Sequence, residues 1–271
     1  MQLADGTKDK WRSFGRVVLF MVGCAVILIV AAPLVPKRPG WSPDFILGTI
    51  ATLWALLLTF VFVRWEGLRP DDVGVKPDGR TLARFASGYC IGLLLVTLTA
   101  SLLFAAGSVH WSSAPAFHLS EAVWPFLTYI VLSCREELAF HGYPLRSLAR
   151  GFGDWIALIF VSVVFALEHR VGGYPWTQAI LGAGVGSLLF GMAALVTRGL
   201  AVPIGIHAAW NFGQWAIGEK GTAGIWTEIV NDSGDHSVQV VRSLIYVVVI
   251  SIATFSFWLW GRSKSVPHNR V

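Results

Sequence analysis

The sequence predicts an all-α, polytopic membrane helical bundle of about eight transmembrane helices, with a polar active site inside the bundle. The 271 residues are 55% hydrophobic and only 14% charged, with a mean hydropathy of +0.62, whereas soluble domains carry about 25% charged residues. The hydrophobic residues form blocks near the length of about 20 that crosses a bilayer. Some blocks also hold ionisable side chains, which are costly at membrane depth.

The first block follows a basic N-terminal segment, but it is too long for the apolar region of about 7–15 residues in a signal peptide. We therefore expect it to be a retained transmembrane helix. The stretch 64–84 carries Pro70 and Pro77 and is too polar to span, so we expect a cytoplasmic amphipathic linker there. The predicted spans are residues 17–34, 44–63, 85–106, 122–140, 155–168, 176–196, 200–217 and 238–260.

The Lys and Arg residues are distributed very unevenly between the two sides of the predicted bundle. One side has Lys8, Lys10, Arg12, Arg16, Arg64, Arg69, Lys76, Arg80, Arg84, Arg146, Arg150, Arg198, Arg262, Lys264 and Arg270. The other has Lys37, Arg38, Arg170 and Lys220, with Arg242 near the point where the last span enters the membrane. Cytoplasmic loops are enriched in Lys and Arg, so we predict that both termini are cytoplasmic. No basic stripe forms, so the net charge of +5 indicates the lipid bilayer and no nucleic acid as partner.

Two smaller patterns have simple interpretations. Cys24, Cys90 and Cys134 lie in or at the end of apolar blocks without a Cys-x-x-Cys pair, which argues against a disulfide framework and a cysteine zinc site. Gly182 and Gly186 form a small-xxx-small pair, which predicts close helix packing.

Polar residues occur at three places in the predicted spans. Glu136 and Glu137 lie near the end of the fourth span, and Phe165 and His169 lie near the end of the fifth. His207 and Asn211 lie in the seventh. Phe165 and His169 are four positions apart, as are His207 and Asn211, so each of these two pairs shares one helix face. Taken singly, each place has a plain alternative. The glutamates can be solvated or paired with Arg135, His169 can be a satisfied structural residue, and His207 and Asn211 can be interhelical polar contacts.

Taken together, these residues suit hydrolysis, because ionisable residues in spans usually face the bundle interior and pair with one another. A glutamate can take a proton from water, and histidines can orient that water directly or hold a divalent metal. Asn211 can donate to a developing oxyanion. Glu136, His169 and His207 would also suit Zn²⁺ with an open position, although no His-Glu-x-x-His motif occurs, so the metal stays unknown.

The pattern resembles the CAAX prenyl protease 2-like, or CPBP (Abi), family of intramembrane endopeptidases. That family carries Glu-Glu-x-x-x-Arg, Phe-x-x-x-His and His-x-x-x-Asn on successive core helices. Here the three motifs read Glu136-Glu137-Leu138-Ala139-Phe140-His141, Phe165-Ala166-Leu167-Glu168-His169 and His207-Ala208-Ala209-Trp210-Asn211. One position departs, because His141 stands where the family usually has arginine.

The resemblance implies an intramembrane protease, of metallo or glutamic type, that cleaves membrane-anchored peptide or protein substrates and opens towards the cytoplasm of a prokaryotic cell. Glu136, Glu137, His169, His207 and Asn211 would be catalytic, and His141, Phe165 and Phe140 supporting. The chain would divide into N-terminal helices 1–116, a CPBP-like core 117–220 and a C-terminal part 221–271. The alternative is a non-catalytic scaffold or bacteriocin-immunity-type protein, and a proton-relay transporter ranks below both, because no repeat is seen.

The predicted depths of the site residues disagree. His169 falls at the far end of the fifth span, whereas Glu136 falls near the cytoplasmic end of the fourth. A shared site therefore requires the fifth span to start deep or tilt, or the segment 143–153 to be re-entrant or interfacial, and the glycines and proline there favour the last option.

Overall fold

The structure is a computed structural model that describes residues 2–36, 42–114, 117–220, 224–231 and 235–265. The long elements are helical, and the two short strands pair antiparallel with each other. The helices are α1 (Gln2–Ala31), α2 (Pro43–Trp65), α3 (Thr81–Ala105), α4 (Val123–Glu136), α5 (Tyr143–Phe152), α6 (Asp154–Val171), α7 (Val185–Thr197), α8 (Ala201–Ala216) and α9 (Asp235–Ser265), and the strands are β1 (Val109–Ser113) and β2 (Trp226–Val230). π-Helical turns cover Glu137–Gly142 and Gln178–Gly184, and 3₁₀ turns cover Ala32–Leu34, Pro70–Val73 and Leu119–Ala122.

The predicted all-α membrane bundle is confirmed, and the chain is an integral membrane protein. In the described ranges, 5 helical segments are long and apolar enough to cross a bilayer, namely Asp9–Leu34, Pro43–Trp65, Thr81–Ala105, Gln178–Thr197 and Ser237–Lys264. The remaining three predicted spans correspond to α4, α6 and α8. These helices have 14, 18 and 16 residues, and they carry the polar side chains of the candidate site.

The bundle has two chemically different ends. One end, called the basic end below, holds Lys10, Arg146 and Arg150. There the loop between α2 and α3 meets α5 and the start of α8, and the Leu200 N–H donates to the Gly74 carbonyl (3.2 Å). The strand end holds β1, β2 and the turn after α8, where Trp111 Nε1–H donates to the Ile217 carbonyl (3.0 Å). Both terminal helices reach the basic end, because α1 contacts α5 there and α9 ends beside α7.

Helices α3 and α8 run parallel and approach more closely than side chains would allow. A Cβ on Gly88 would lie 2.2 Å from the Val202 carbonyl oxygen, and one on Gly92 would lie 2.4 Å from that of Ile206. Gly92 lies near the middle of the 25-residue α3. His207, next to Ile206, is therefore held at mid-depth in the bundle.

Glu136 also lies near mid-depth, which corrects its predicted position near the cytoplasmic end of a span. Helix α4 packs parallel to α2, and Thr52 Oγ1, in the first half of α2, donates to the Val131 carbonyl (3.1 Å). Glu136 is only five residues further on. The π-helical turn and α5 then carry the chain to the basic end, so the segment 143–153 is mostly a regular helix that ends at Gly153 (φ 85°).

Candidate active site

Glu137 is the centre of a buried hydrogen-bond chain. Its side chain is 0% exposed, and it accepts from His141 Nδ1 (2.8 Å) and from His207 Nδ1 (2.9 Å). A carboxylate has only acceptors, so both Nδ1 atoms carry hydrogen. In the neutral form of each imidazole, the Nε2 atom then keeps a lone pair, and the bond at Nδ1 assigns the tautomer.

His141 continues this chain away from the cavity. Its Nε2 accepts from the Ser187 hydroxyl on α7 (3.0 Å). A Cβ on Gly191 would lie 3.0 Å from His141 Cδ2, so α7 packs directly against the imidazole. The histidine at the position of the family arginine thus satisfies both of its ring nitrogens.

His207 lies between the two glutamates. While its Nδ1 donates to Glu137, its Nε2 is 3.4 Å from Glu136 Oε2. The Phe190 ring stacks on the imidazole with a centroid distance of 4.2 Å and an interplanar angle of 14°. Phe165 meets the imidazole edge-on at 6.3 Å. These contacts leave the His207 ring little rotational freedom.

The two glutamates differ in exposure and in charge partners. The Glu136 side chain is 12% exposed and so can meet water, whereas Glu137 cannot. Arg135 donates to Glu136 and also to Glu168 Oε1 (2.7 Å), and its own side chain is only 10% exposed. The pairing with Arg135 that the sequence left open is therefore present, together with the contact to His207. An arginine shared by two carboxylates offsets the cost of holding them at this depth.

His169 is held by the backbone and aromatic rings near the end of α6. Its Nδ1–H donates to the Phe165 carbonyl (3.0 Å), so its Nε2 keeps a lone pair. The imidazole contacts the Phe165 ring at 4.5 Å and the Tyr174 ring at 5.3 Å between centroids. Phe140 packs edge-on against Phe165 at 4.9 Å, so the two supporting phenylalanines form one apolar layer beneath the histidines.

A cavity of about 650 Å³ brings three of the predicted catalytic residues together, and the supporting Phe165 also lines it. His169, His207 and Asn211 line it, and Glu136 adjoins it through its contact with His207. The cavity extends from mid-depth to the strand end, where Glu228 of β2 also lines it. Both terminal helices meet the basic end, whereas the cavity extends to the opposite, strand end. The chain termini and the opening of the cavity therefore cannot both face the cytoplasm, although the sequence led us to expect both.

The two glycines of the predicted small-xxx-small pair have different surroundings. A Cβ on Gly186 would lie 2.7 Å from the Tyr246 hydroxyl of α9, as close helix packing requires, whereas one on Gly182 would meet nothing within 4 Å. Both glycines line the cavity. The prediction of close packing therefore holds at Gly186, while Gly182 widens the cavity because it has no side chain.

Charged groups that follow α8 complete the wall towards the strand end. Lys220 Nζ donates to Asn211 Oδ1 (2.8 Å), and burial lowers the pKa of the Lys220 ammonium, against the opposing influence of Glu136 and Glu219. Arg242 of α9 bridges Glu219 and Glu228. Burial raises the pKa of Glu219, and Arg242 opposes that rise.

The zinc set that the sequence allowed is not assembled. Within the described ranges, no three His, Cys, Asp or Glu side chains lie close enough together to hold a metal ion. The tautomers of His169 and His207 would suit ligation, because each ring donates its Nδ1–H to another group. However, His207 Nε2 and Glu136 Oε2, which lie 3.4 Å apart, are joined by no third such side chain at ligand distance in the part of the chain that the structure describes. The chemistry below therefore uses only the side chains.

Four contributors were not singled out as site residues in the sequence. Arg135 and Ser187 pair with the predicted residues, Phe190 stacks on His207, and Lys220 bonds to Asn211. Arg135 is adjacent to Glu136, and the sequence offered it only as one possible partner of the glutamates. The other three lie on α7 and in the turn after α8, and no spacing links them to the motifs.

Comparison with known proteins identifies the segment that carries the site. Residues 118–213 match the family model of "Rce1-like: Type II CAAX prenyl endopeptidase Rce1-like". For residues 118–213, this match confirms the family that the three motifs predicted. The segment falls within the predicted core 117–220, but the division of the chain into three parts stays a prediction. A search of curated proteins found no match to the chain.

Proposed function

We propose, from the premise that residues 118–213 form an Rce1-like domain, that this chain hydrolyses peptide bonds of membrane-anchored substrates. The observation that carries the proposal is the position of His207, between Glu136 and the buried Glu137 on the wall of a cavity that starts at mid-depth. A polar group at this depth needs partners or a chemical task. The partners of His207 are Glu136 and Glu137, and the task that we propose for it is the orientation of water.

The first step is the activation of water. A water molecule in the inner cavity donates one hydrogen to Glu136 and the other to the Nε2 lone pair of His207. Glu136 takes the proton while the water oxygen attacks the carbonyl carbon of the scissile peptide bond, which forms a tetrahedral intermediate. Glu137 is fully buried and has a different duty. Its bond to Nδ1 holds the tautomer of His207 that can accept from water.

The second step is the breakdown of that intermediate. The amide N–H of Asn211 donates to the oxyanion, and such a donor contributes most when it is already positioned in a site that excludes water. Glu136 returns its proton to the leaving nitrogen, the carbon–nitrogen bond breaks, and a carboxyl and an amine are released. His169 adds a second Nε2 acceptor on the same cavity wall, where it orients the water or the amine.

The side from which the substrate enters follows from the orientation of the chain. We place both termini in the cytoplasm, since among the residues that the structure describes most Lys and Arg side chains lie at the basic end. The cavity then extends to the opposite face of the membrane, so the scissile bond is presented from that leaflet. Glu121 lies at the strand end. A variant whose single cysteine is introduced by Glu121→Cys should react with an impermeant maleimide added to whole cells. Labelling only after lysis would reverse this orientation.

The direct test is cleavage in proteoliposomes. The wild-type protein is reconstituted with a set of fluorescent single-span peptides, and products are identified by mass spectrometry. We expect cleavage by the wild type and none detectable for His207→Ala, because that change removes the group that links Glu136 to Glu137. The exposed Lys76→Met variant at the basic end is the control, since Lys76 is far from the cavity lining and pairs with the exposed Asp71. Equal cleavage by wild type and His207→Ala would contradict the proposal.

Two further arms of this assay separate the remaining alternatives. Activity that survives a zinc chelator is expected from the side-chain arrangement, and activity that is lost and then restored by zinc would show a metal enzyme. A wild type that cleaves no peptide, with a cellular phenotype that survives Glu136→Gln, would instead support a non-catalytic scaffold.

A further inference from the structure

Lys220 has an unusual environment for a lysine. Its ammonium nitrogen lies 2.8 Å from Asn211 Oδ1 and 5.4 Å from the centre of the Tyr129 ring, and its side chain lines the same cavity as His207. Lysine is a strongly hydrated cation whose removal from water is costly. A partly buried lysine beside a proposed oxyanion donor therefore has a function to be explained.

The local backbone directs Lys220 towards Asn211. Helix α8 ends in a turn in which Gly218 has a positive φ of 83°, and the Glu219 N–H donates to the Gln214 carbonyl (2.9 Å). Strand β1 holds the turn through Trp111, and α9 holds it through the ion pair of Arg242 with Glu219. The turn is therefore attached on two sides, so Lys220 is built into the wall of the cavity.

The bond from Lys220 also decides the orientation of the Asn211 amide. An ammonium can only donate, so the atom it contacts must be the amide oxygen, and the NH₂ group must point elsewhere. Without this bond, the amide could rotate by half a turn and present its oxygen to the oxyanion, where it would repel it.

We infer that Lys220 is a positioning residue for peptide hydrolysis, because its bond to Asn211 Oδ1 holds the amide NH₂ of Asn211 in place to donate to the oxyanion. This inference rests on the proposed function and deepens it. Lys220 does not touch the reacting atoms and acts through Asn211. Its loss should therefore weaken stabilisation of the transition state with little effect on substrate binding.

The test uses a double-mutant cycle in the proteoliposome assay, with a peptide that the wild type cleaves. We expect Lys220→Met to lower kcat about 10-fold or more with KM within about twofold of wild type, and Asn211→Ala to lower kcat about 100-fold. The double variant should be no slower than Asn211→Ala, since Lys220 has no effect once the amide is absent. Lys220→Arg should restore most of the rate, because a guanidinium can also donate to the oxygen.

Each other outcome overturns the inference. These outcomes are a Lys220→Met rate within twofold of wild type, a change confined to KM, or losses that multiply in the double variant. Thermal unfolding in detergent, compared with that of the Lys76→Met control, identifies a variant that has merely lost its fold. In that case, the Lys220→Arg variant tests the bond to Asn211 in a folded protein. A wild type without any cleavage would remove the proposed function itself, a result distinct from an active wild type with an unaffected Lys220→Met.

Discussion

The Glu136→Gln variant is expected to cleave peptides at least about 1,000-fold more slowly than the wild type. General-base catalysis contributes about 10²–10⁴-fold, and a neutral amide cannot accept the proton of water at this position. The amide also puts hydrogen-bond donors next to Arg135, which loses one of its two carboxylate partners. We expect kcat to account for nearly all of the loss, measured on peptides in proteoliposomes.

The matched control is Glu121→Gln, the same chemical change at an exposed glutamate of the strand end. It should leave kcat and KM unchanged. The mechanism would be contradicted if Glu136→Gln retained more than about a tenth of the wild-type kcat while remaining folded. In that case, another group would take the proton.

The Glu137→Gln variant is expected to lower the free energy of unfolding by about 2–4 kcal/mol, because breaking a buried ionic hydrogen-bond network leaves groups uncompensated. The two oxygens of Glu137 accept from two imidazole N–H groups. Glutamine offers only one oxygen, so its NH₂ group would face the hydrogen of either His141 or His207. One imidazole must then change tautomer or lose its bond. The measurement is unfolding of the purified protein in detergent.

Ser162→Ala is the control for this prediction, since Ser162 Oγ is buried and has no hydrogen-bond partner among the described residues. Its removal should leave the protein as stable as the wild type or slightly more stable. If Glu137→Gln unfolded at the same temperature as Ser162→Ala, the network from Ser187 to His207 would not be a source of stability. Cleavage should fall in Glu137→Gln as well, since His207 would no longer be held in one tautomer.

The place of His141 illustrates what a motif cannot decide. In the sequence, a histidine stands where the family usually has arginine. In the structure, its Nδ1 bonds to Glu137 and its Nε2 to Ser187. The i,i+4 spacing made the first contact foreseeable, but the second depends on how α7 packs against the π-helical turn. The position of α7 is a property of the whole bundle.

The depth of a residue in the bundle does not follow from the local sequence. A run of apolar residues predicts a span, but it does not say where along the span a residue sits when a helix is interrupted. Helix α4 is short and continues through a π-helical turn, so Glu136 lies near the middle of the bundle rather than at its end. The parallel contacts of α4 with α2 and of α8 with α3 set this depth.

The sequence by itself therefore determined the class of the protein, its membrane setting and the three polar motifs, because hydropathy and spacing along a helix are local properties. Only the tertiary structure decided that Glu136 faces His207 while Glu137 is enclosed, that the cavity extends to the strand end, and that Lys220 reaches Asn211. These facts depend on distances between elements far apart in the chain. The glutamate pair that looks uniform in sequence is divided by a difference of one position on a helix, about 100° of rotation.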